Sequence, residues 1–316
     1  TGREYEGDII ARCGDSKKIL VIGGGPGGME AARMLAEKGH RVSLWEKERD
    51  LGGTARIAAL AYEPNARLVH YLAGAVRALP IDIQMGKTAT RANIAAAKAD
   101  YVILATGAIR TAPPIPGKDQ RHVFDGDELH GVLLGNDPEG IAKLNPVYRL
   151  MFFCARMSQL LRNIKLMRFL SKLWMPIGDR VVIIGGELVG LELAEFLHER
   201  GRQVSVVGDE EKFGRGLSVA RRSVMLDEMP IAGIALYEGC SAIRIGEKAV
   251  RFTNKADEAC EAAADTVLIA KGAEPNTALY DQLVAAGVEA YMVGDCAGVG
   301  YIVGAVRNAA DVAAII

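Results

Sequence analysis

Residues 19–28 read Ile-Leu-Val-Ile-Gly-Gly-Gly-Pro-Gly-Gly, and an acid follows at Glu46. The apolar run Ile19–Ile22 is a buried-strand signal, and Met29–Gly39 has the composition of a helix. Between them stands Gly-x-Gly-x-x-Gly, carried by Gly23, Gly25 and Gly28. Each glycine has a mechanical task. Gly23 permits a tight turn out of the strand, Gly25 lets a pyrophosphate approach the backbone, and Gly28 lets helix and strand pack closely. Pro26 and Gly27 complete the turn, and the helix start offers unpaired N–H groups and positive dipole to phosphate. The next strand, Arg41–Glu46, ends in a carboxylate able to accept both hydroxyls of an adenosine ribose, with Lys47 beside it. Strand, turn, helix, strand and acid together predict a dinucleotide-binding unit.

The pattern recurs. Residues 181–190 read Val-Val-Ile-Ile-Gly-Gly-Glu-Leu-Val-Gly, followed by a helical stretch, Leu191–Arg200, and a strand, Gln203–Val207. The expected cradle is Gly185, Gly186, Glu187, Leu188, Val189 and Gly190. It departs from the first in two ways. Glu187 replaces the close-approach glycine and would repel a pyrophosphate unless it turns away. Gly208 stands at the offset of Glu46, which removes the acid that usually holds a free 2′-hydroxyl. Asp209 and Glu210 could serve that hydroxyl; Lys212 or Arg215 could instead meet a 2′-phosphate. The choice between NADH and NADPH stays open, as does a degenerate unit that binds nothing. The fold class expected is α/β, with two Rossmann-like dinucleotide-binding domains and a helical insert.

Shorter strings complete the plan. Leu51-Gly52-Gly53-Thr54 follows Glu46 at loop distance, and its small residues let backbone amides reach phosphate or flavin. Strand Tyr101–Ala105 runs into Thr106-Gly107 and then a proline-set crossover, 113–117. Thr266–Ala270 is its counterpart and ends at Lys271-Gly272. Strand Ala290–Val293 leads to Gly294-Asp295, whose carboxylate suits the ribityl hydroxyls of a flavin. A closing helix, near Ile302–Ile316, would aim its positive end at the flavin's pyrimidine edge. The expected layout is a FAD-binding domain over 1–130 and 289–316, an insert over 131–177, and an NAD(P)-binding domain over 178–288.

The insert is unlike its surroundings. Residues 140–177 hold no acid and seven bases: Lys143, Arg149, Arg156, Arg162, Lys165, Arg168 and Lys172. Apolar residues at 150, 153, 157, 160, 164, 167, 170 and 174 recur in steps of three and four. That predicts an amphipathic helix, or two with a break near Asn163. A flap packed on the chain's own domains or on another portion of the protein is the leading expectation. A protein contact and an anionic membrane surface are the alternatives.

Composition sets outer bounds. The chain has 316 residues, half of them apolar, 36 glycines and a net charge of −1, so nothing draws it as a whole toward nucleic acid. Its cysteines, at 13, 154, 240, 260 and 296, have no CxxC or CxxxxC spacing, which argues against a redox disulfide and a metal knuckle. No metal site is expected, and the histidines at 40, 70, 122, 130 and 198 are read as structural or surface groups. Cys296 is read as a packing residue. Scattered cysteines, with no leader and no long apolar run, suggest a cytoplasmic protein. Both ends of the chain look like cuts in a longer polypeptide.

These features resemble the glutathione reductase-like flavoproteins with two dinucleotide-binding domains. Within that class the chain is most similar to the C-terminal half of the 2,4-dienoyl-CoA reductase, enoate reductase and trimethylamine dehydrogenase family. The stretches 24–33 and 51–60 carry the likeness, with Gly2-Arg3-Glu4-Tyr5. The resemblance implies that NAD(P)H reduces FAD and that electrons pass to an iron–sulfur and FMN barrel, as a domain or subunit within an oligomeric assembly. Enoyl-type double bonds are the implied substrates. It also implies a role for Glu192 near the flavin–nicotinamide contact. Two rivals remain: a non-catalytic scaffold holding ADP, as the corresponding site does in trimethylamine dehydrogenase, and a peripheral-membrane NADH dehydrogenase.

Overall fold

The computed structural model describes residues 14–110, 112–134, 138–144, 146–157, 163–175 and 177–316. The segment Gly2–Tyr5, Cys13, and the insert residues Leu160 and Arg162 lie outside them. The chain forms two compact units. One comprises the segment ending at Ala59, Glu63–Ile109 and Ala273–Ile316; the other comprises Leu60–Tyr62 and Arg110–Gly272.

The first unit is built on a five-stranded parallel sheet. Its order is Ala290–Met292, Tyr101–Leu104, Lys18–Ile22, Arg41–Glu46, Asp82–Met85. The strand cores are unbroken apolar runs because both faces of a parallel sheet are covered. On one face Ile19, Val21, Leu44 and Ile103 pack against Met29, Leu35 and Val312 of two helices, Pro26–Glu37 and Tyr301–Ile315. On the other, Leu20, Ile22 and Leu104 pack with Ile94 and Leu283.

The second unit repeats this plan: Val123–Phe124, Thr266–Ile269, Arg180–Ile184, Gln203–Val207 and Ala235–Tyr237, all parallel. A three-stranded antiparallel sheet, Ser241–Ile245, Ala249–Thr253 and Ala259–Ala263, covers one face, with Ile245, Val250 and Phe252 against Val182, Ile184 and Val267. In both sheets the strand bearing the glycine turn is central. The chain passes between units at Ile109–Arg110 and Gly272–Ala273, whereas the sequence placed these passages near 130 and 288. Two short elements account for the difference. Val123–Phe124 pairs with Thr266–Ile269 in the second sheet, and Ala278–Val284 packs in the first unit through Leu283.

Both turn helices begin earlier than their composition suggested, at Pro26 rather than Met29 and at Leu188 rather than Leu191. Proline suits the first helical position, where its missing N–H has no intrahelical partner to lose. Several boundaries shift by one residue. The strands end at Leu104, Ile269 and Met292, and the closing helix runs from Tyr301 to Ile315.

The insert contains Pro146–Met157 and Ile164–Leu173. Asn163 caps the second, its side-chain oxygen accepting the Leu166 N–H at 3.0 Å. The rings of Tyr148 and Trp174 meet edge-on at 4.7 Å. Of the periodic positions, Leu150, Phe153, Leu170 and Trp174 are exposed, while Ile164 and Met167 are half-buried. Among the described residues, no helix is long and apolar enough to cross a membrane.

Candidate functional site: two glycine cradles

In the first cradle the three motif glycines sit in three different environments. Gly23 has φ +107°, and a Cβ there would overlap the carbonyl oxygen of Ala105. A Cβ on Gly28 would overlap the carbonyl oxygen of Gly23, so the helix lies directly on the turn. A Cβ on Gly25 would meet nothing within 4 Å. Gly25 therefore faces open space, which is the environment that a close-approaching pyrophosphate requires.

Glu46 is buried at the end of its strand, and both its oxygens are engaged. Oε2 accepts the Gly24 N–H at 2.6 Å and Oε1 accepts the Glu48 N–H at 2.8 Å. Each oxygen retains a second lone pair for a ribose hydroxyl. The loop Leu51-Gly52-Gly53 lies against the turn. Gly52 N–H donates to the Gly24 carbonyl at 2.8 Å, Leu51 packs where a Gly24 side chain would go, and a Cβ on Gly53 would come within 3.2 Å of the Gly25 Cα. Thr54 and Lys47 are exposed at the edge. Ala105 N–H donates to the Ile22 carbonyl at 2.8 Å, which brings Ala105, Thr106 and Gly107 beside the turn. Gly294 has φ +77°, and Asp295 Oδ1 accepts the Gly300 N–H at 3.0 Å, tying it to the start of the closing helix. Cys296 is fully buried, its thiol 3.1 Å from the Leu104 carbonyl oxygen.

The second cradle reproduces much of this geometry. Gly185 has φ +114°, and a Cβ on Gly190 would overlap the carbonyl oxygen of Gly185. Gly185 N–H donates to Val207 at 2.9 Å, as Gly23 donates to Trp45 at 2.8 Å. Gly272 is again left-handed, at φ +95°, one residue beyond Lys271. The sequence missed one counterpart: Phe213-Gly214 does here what Leu51-Gly52 does in the first unit. Gly214 N–H donates to the Gly186 carbonyl at 2.7 Å, and the Phe213 ring fills the space where a Gly186 side chain would lie. The two loops stand at the same offset from their turns, but Phe213-Gly214 lacks the paired glycines of Gly52-Gly53 that marked the first loop.

Glu187 has extended backbone at the helix start, with φ −78° and ψ −174°. Its Oε1 lies 3.8 Å from an Arg215 guanidinium nitrogen, and Val189 is exposed nearby on the first turn. The first amide of each helix is unavailable to a ligand. Pro26 has none, and the Leu188 N–H donates to the Arg215 carbonyl at 2.9 Å. The next amides, those of Gly27 and Gly28 and of Val189 and Gly190, carry the positive end of each dipole.

Glu192 lies within the second helix and is only 7% exposed. Arg221 Nη1 pairs with it at 3.0 Å, and the same guanidinium lies 3.7 Å from Glu195 and 3.7 Å from the centre of the Tyr62 ring. Burial pushes the Glu192 carboxyl above the usual carboxylate range, and Arg221 opposes that shift. Beyond the second sheet's strand end, Lys271 pairs with Asp209 and lies 3.7 Å from Glu210.

Residues 17–310 match the family model described as pyridine nucleotide-disulphide oxidoreductase. The chain is 34% identical over 297 residues to bilirubin reductase of Mediterraneibacter gnavus, covering 93% of this chain and 40% of that protein. It is 27% identical to cinnamate reductase of Clostridium sporogenes, covering 99% and 41%. A solved 2-naphthoyl-CoA reductase superposes with a TM-score of 0.79 at 23% identity, covering 100% of this chain and 42% of that one. The chain thus spans about two fifths of the length of these relatives. It belongs to the pyridine nucleotide-disulphide oxidoreductase family, flavin oxidoreductases that bind FAD and NAD(P)H.

Proposed function

We propose that the first cradle holds FAD, the second holds NAD(P)H, and the chain passes reducing equivalents to a flavin and iron–sulfur barrel in a further portion of the protein. The observation that carries this reading is the open face at Gly25 beside a buried Glu46, each of whose oxygens is held by one backbone N–H and keeps a lone pair free. When bound, FAD supplies the acceptor for a hydride from the nicotinamide. The chain's own residues do the positioning. Gly27 and Gly28 amides meet the pyrophosphate, Glu46 accepts ribose hydroxyls, and Lys47, Gly52, Gly53 and Thr54 border the phosphates. Ala105, Thr106 and Gly107 line the flavin side, and Asp295 holds the ribityl chain. In the second unit, Val189 and Gly190 amides meet the dinucleotide's pyrophosphate, and Glu192 orients the carboxamide of the nicotinamide. Enoyl-type double bonds are the proposed final substrates, in keeping with relatives named as bilirubin and cinnamate reductases.

Anaerobic titration of the purified chain with NADH tests this. The expected result is a flavin absorption band that bleaches with one equivalent of NADH. A colourless protein that releases ADP on denaturation would replace the reading with the scaffold alternative. The side chain that favoured that alternative, Glu187, lies near Arg215 rather than standing alone at the close-approach position.

A further inference from the structure

The two cradles can be compared atom by atom, and the comparison restores an acid that the sequence offset lacks. In the first unit the carboxylate that accepts the N–H of the second turn glycine belongs to Glu46, the last residue of its strand. In the second unit the residue at that offset is Gly208, which has no side chain. The corresponding N–H, that of Gly186, points instead to Glu210 Oε2 at 3.5 Å. A Cβ on Gly208 would overlap that same oxygen. Glu210 therefore reaches back over Gly208 and puts its carboxylate where a strand-end acid would lie. The flanking contacts coincide as well, with Gly52 on Gly24 and Gly214 on Gly186.

We propose that Glu210 is the ribose-binding carboxylate of the second cradle, and that it makes this cradle select NADH over NADPH. The proposal rests on the second unit being the NAD(P)H site. A carboxylate accepts hydrogen bonds from a free 2′-hydroxyl and repels a 2′-phosphate. The neighbouring charges reinforce the choice. Asp209 and Glu211 flank Glu210, and Glu238 accepts the Phe213 N–H at 2.8 Å on the same loop. Of the bases that could meet a 2′-phosphate, Lys271 is held by Asp209 and lies near Glu210, and Arg215 lies beside Glu187. The opposing charges are Lys212, which is exposed, Lys255, which lies 3.4 Å from Glu238, and Arg222, whose side chain lies against Gly214.

The test is calorimetric titration of the whole chain, with FAD in excess to fill the first cradle, against ADP-ribose and 2′-phospho-ADP-ribose. Neither carries a nicotinamide, so the readout is independent of turnover. ADP-ribose is expected to bind more tightly by on the order of a hundredfold. Glu210→Gln is expected to shrink that preference to about tenfold or less. Equal or tighter binding of the phosphorylated ligand to the unmodified chain overturns the proposal without any variant. An unchanged preference in a folded Glu210→Gln protein overturns the assignment to Glu210. If neither ligand binds, the second unit is not the NAD(P)H site and the underlying reading fails instead.

Discussion

Glu46 and Gly24 are joined by a 2.6 Å hydrogen bond that spans the strand end and the glycine turn, while the other Glu46 oxygen holds the Glu48 N–H. The carboxylate is thus both a brace for the turn and the acid presented to a ribose. Glu46→Gln replaces one oxygen with an NH2 group, and neither amide orientation avoids facing a backbone N–H. It is expected to cost about 2 kcal/mol of stability and to lower retention of FAD or ADP. Urea unfolding and the nucleotide released on denaturation read the two effects. Unchanged values for both would remove the bracing role.

Gly25 and Gly28 are expected to respond oppositely to the same change. Gly25 has φ −72° and an open face, so Gly25→Ala is expected to shift stability by less than about 0.5 kcal/mol. The added methyl occupies the phosphate approach, so nucleotide affinity is expected to drop at least about tenfold. Gly28→Ala drives a methyl into the Gly23 carbonyl, which the helix cannot clear without moving, and is expected to destabilise by about 3 kcal/mol. Thermal melts combined with ADP titration distinguish the cases. Equal destabilisation by both substitutions would contradict the open face.

An Arg215 guanidinium nitrogen lies 3.8 Å from Glu187. The arginine is highly exposed, so the pair contributes little to stability. Its expected effect is on binding. Arg215→Ala removes a positive charge from beside Glu187 and should weaken ADP-ribose binding several-fold, on the order of 1 kcal/mol. In a Glu187→Gln background the same substitution should cost much less. A double-mutant cycle by calorimetry gives the coupling directly; a coupling of zero would mean that the two side chains do not act on each other.

His40 sets an acid limit on the first unit. Its ring is buried, Nδ1 accepts the Lys17 N–H at 3.2 Å, and Nε2 has no protein partner. Burial first, then Lys38 and Lys17, holds its pKa below the ordinary imidazole value. The unfolded chain therefore binds a proton that the folded chain resists. The neutral-histidine contribution is complete above about pH 6.5 and is lost as pH falls through the lower folded-state value. Melting temperature is expected to decline between pH 6.5 and pH 5, with a shallower decline in His40→Asn. Parallel profiles for the two proteins would assign the loss to other groups.

The first cradle was legible because it is local. Gly23, Gly25, Gly28 and Glu46 are set by turn geometry within one strand–helix–strand unit, and each requirement leaves its own residue type in the sequence. The second cradle was legible only as far as Gly185 and Gly190. Its acid was left open between Asp209 and Glu210, because Glu210 acts through a loop whose path depends on Phe213 packing against Gly186, a contact with no periodic signature. The two-residue strand Val123–Phe124 was hidden for the same reason, since only pairing with Thr266–Ile269 makes it a strand. The insert's periodicity identified helices but not their cover, and several of its apolar residues are exposed.

The sequence by itself determined that there are two glycine turns, each between an apolar strand and a helix, because those elements are short-range and carry their physics in residue type. The tertiary structure decided which side chain answers the second turn. The carboxylates of Glu46 and Glu210 reach similar positions from different offsets, and only the folded loop brings the second one back over Gly208.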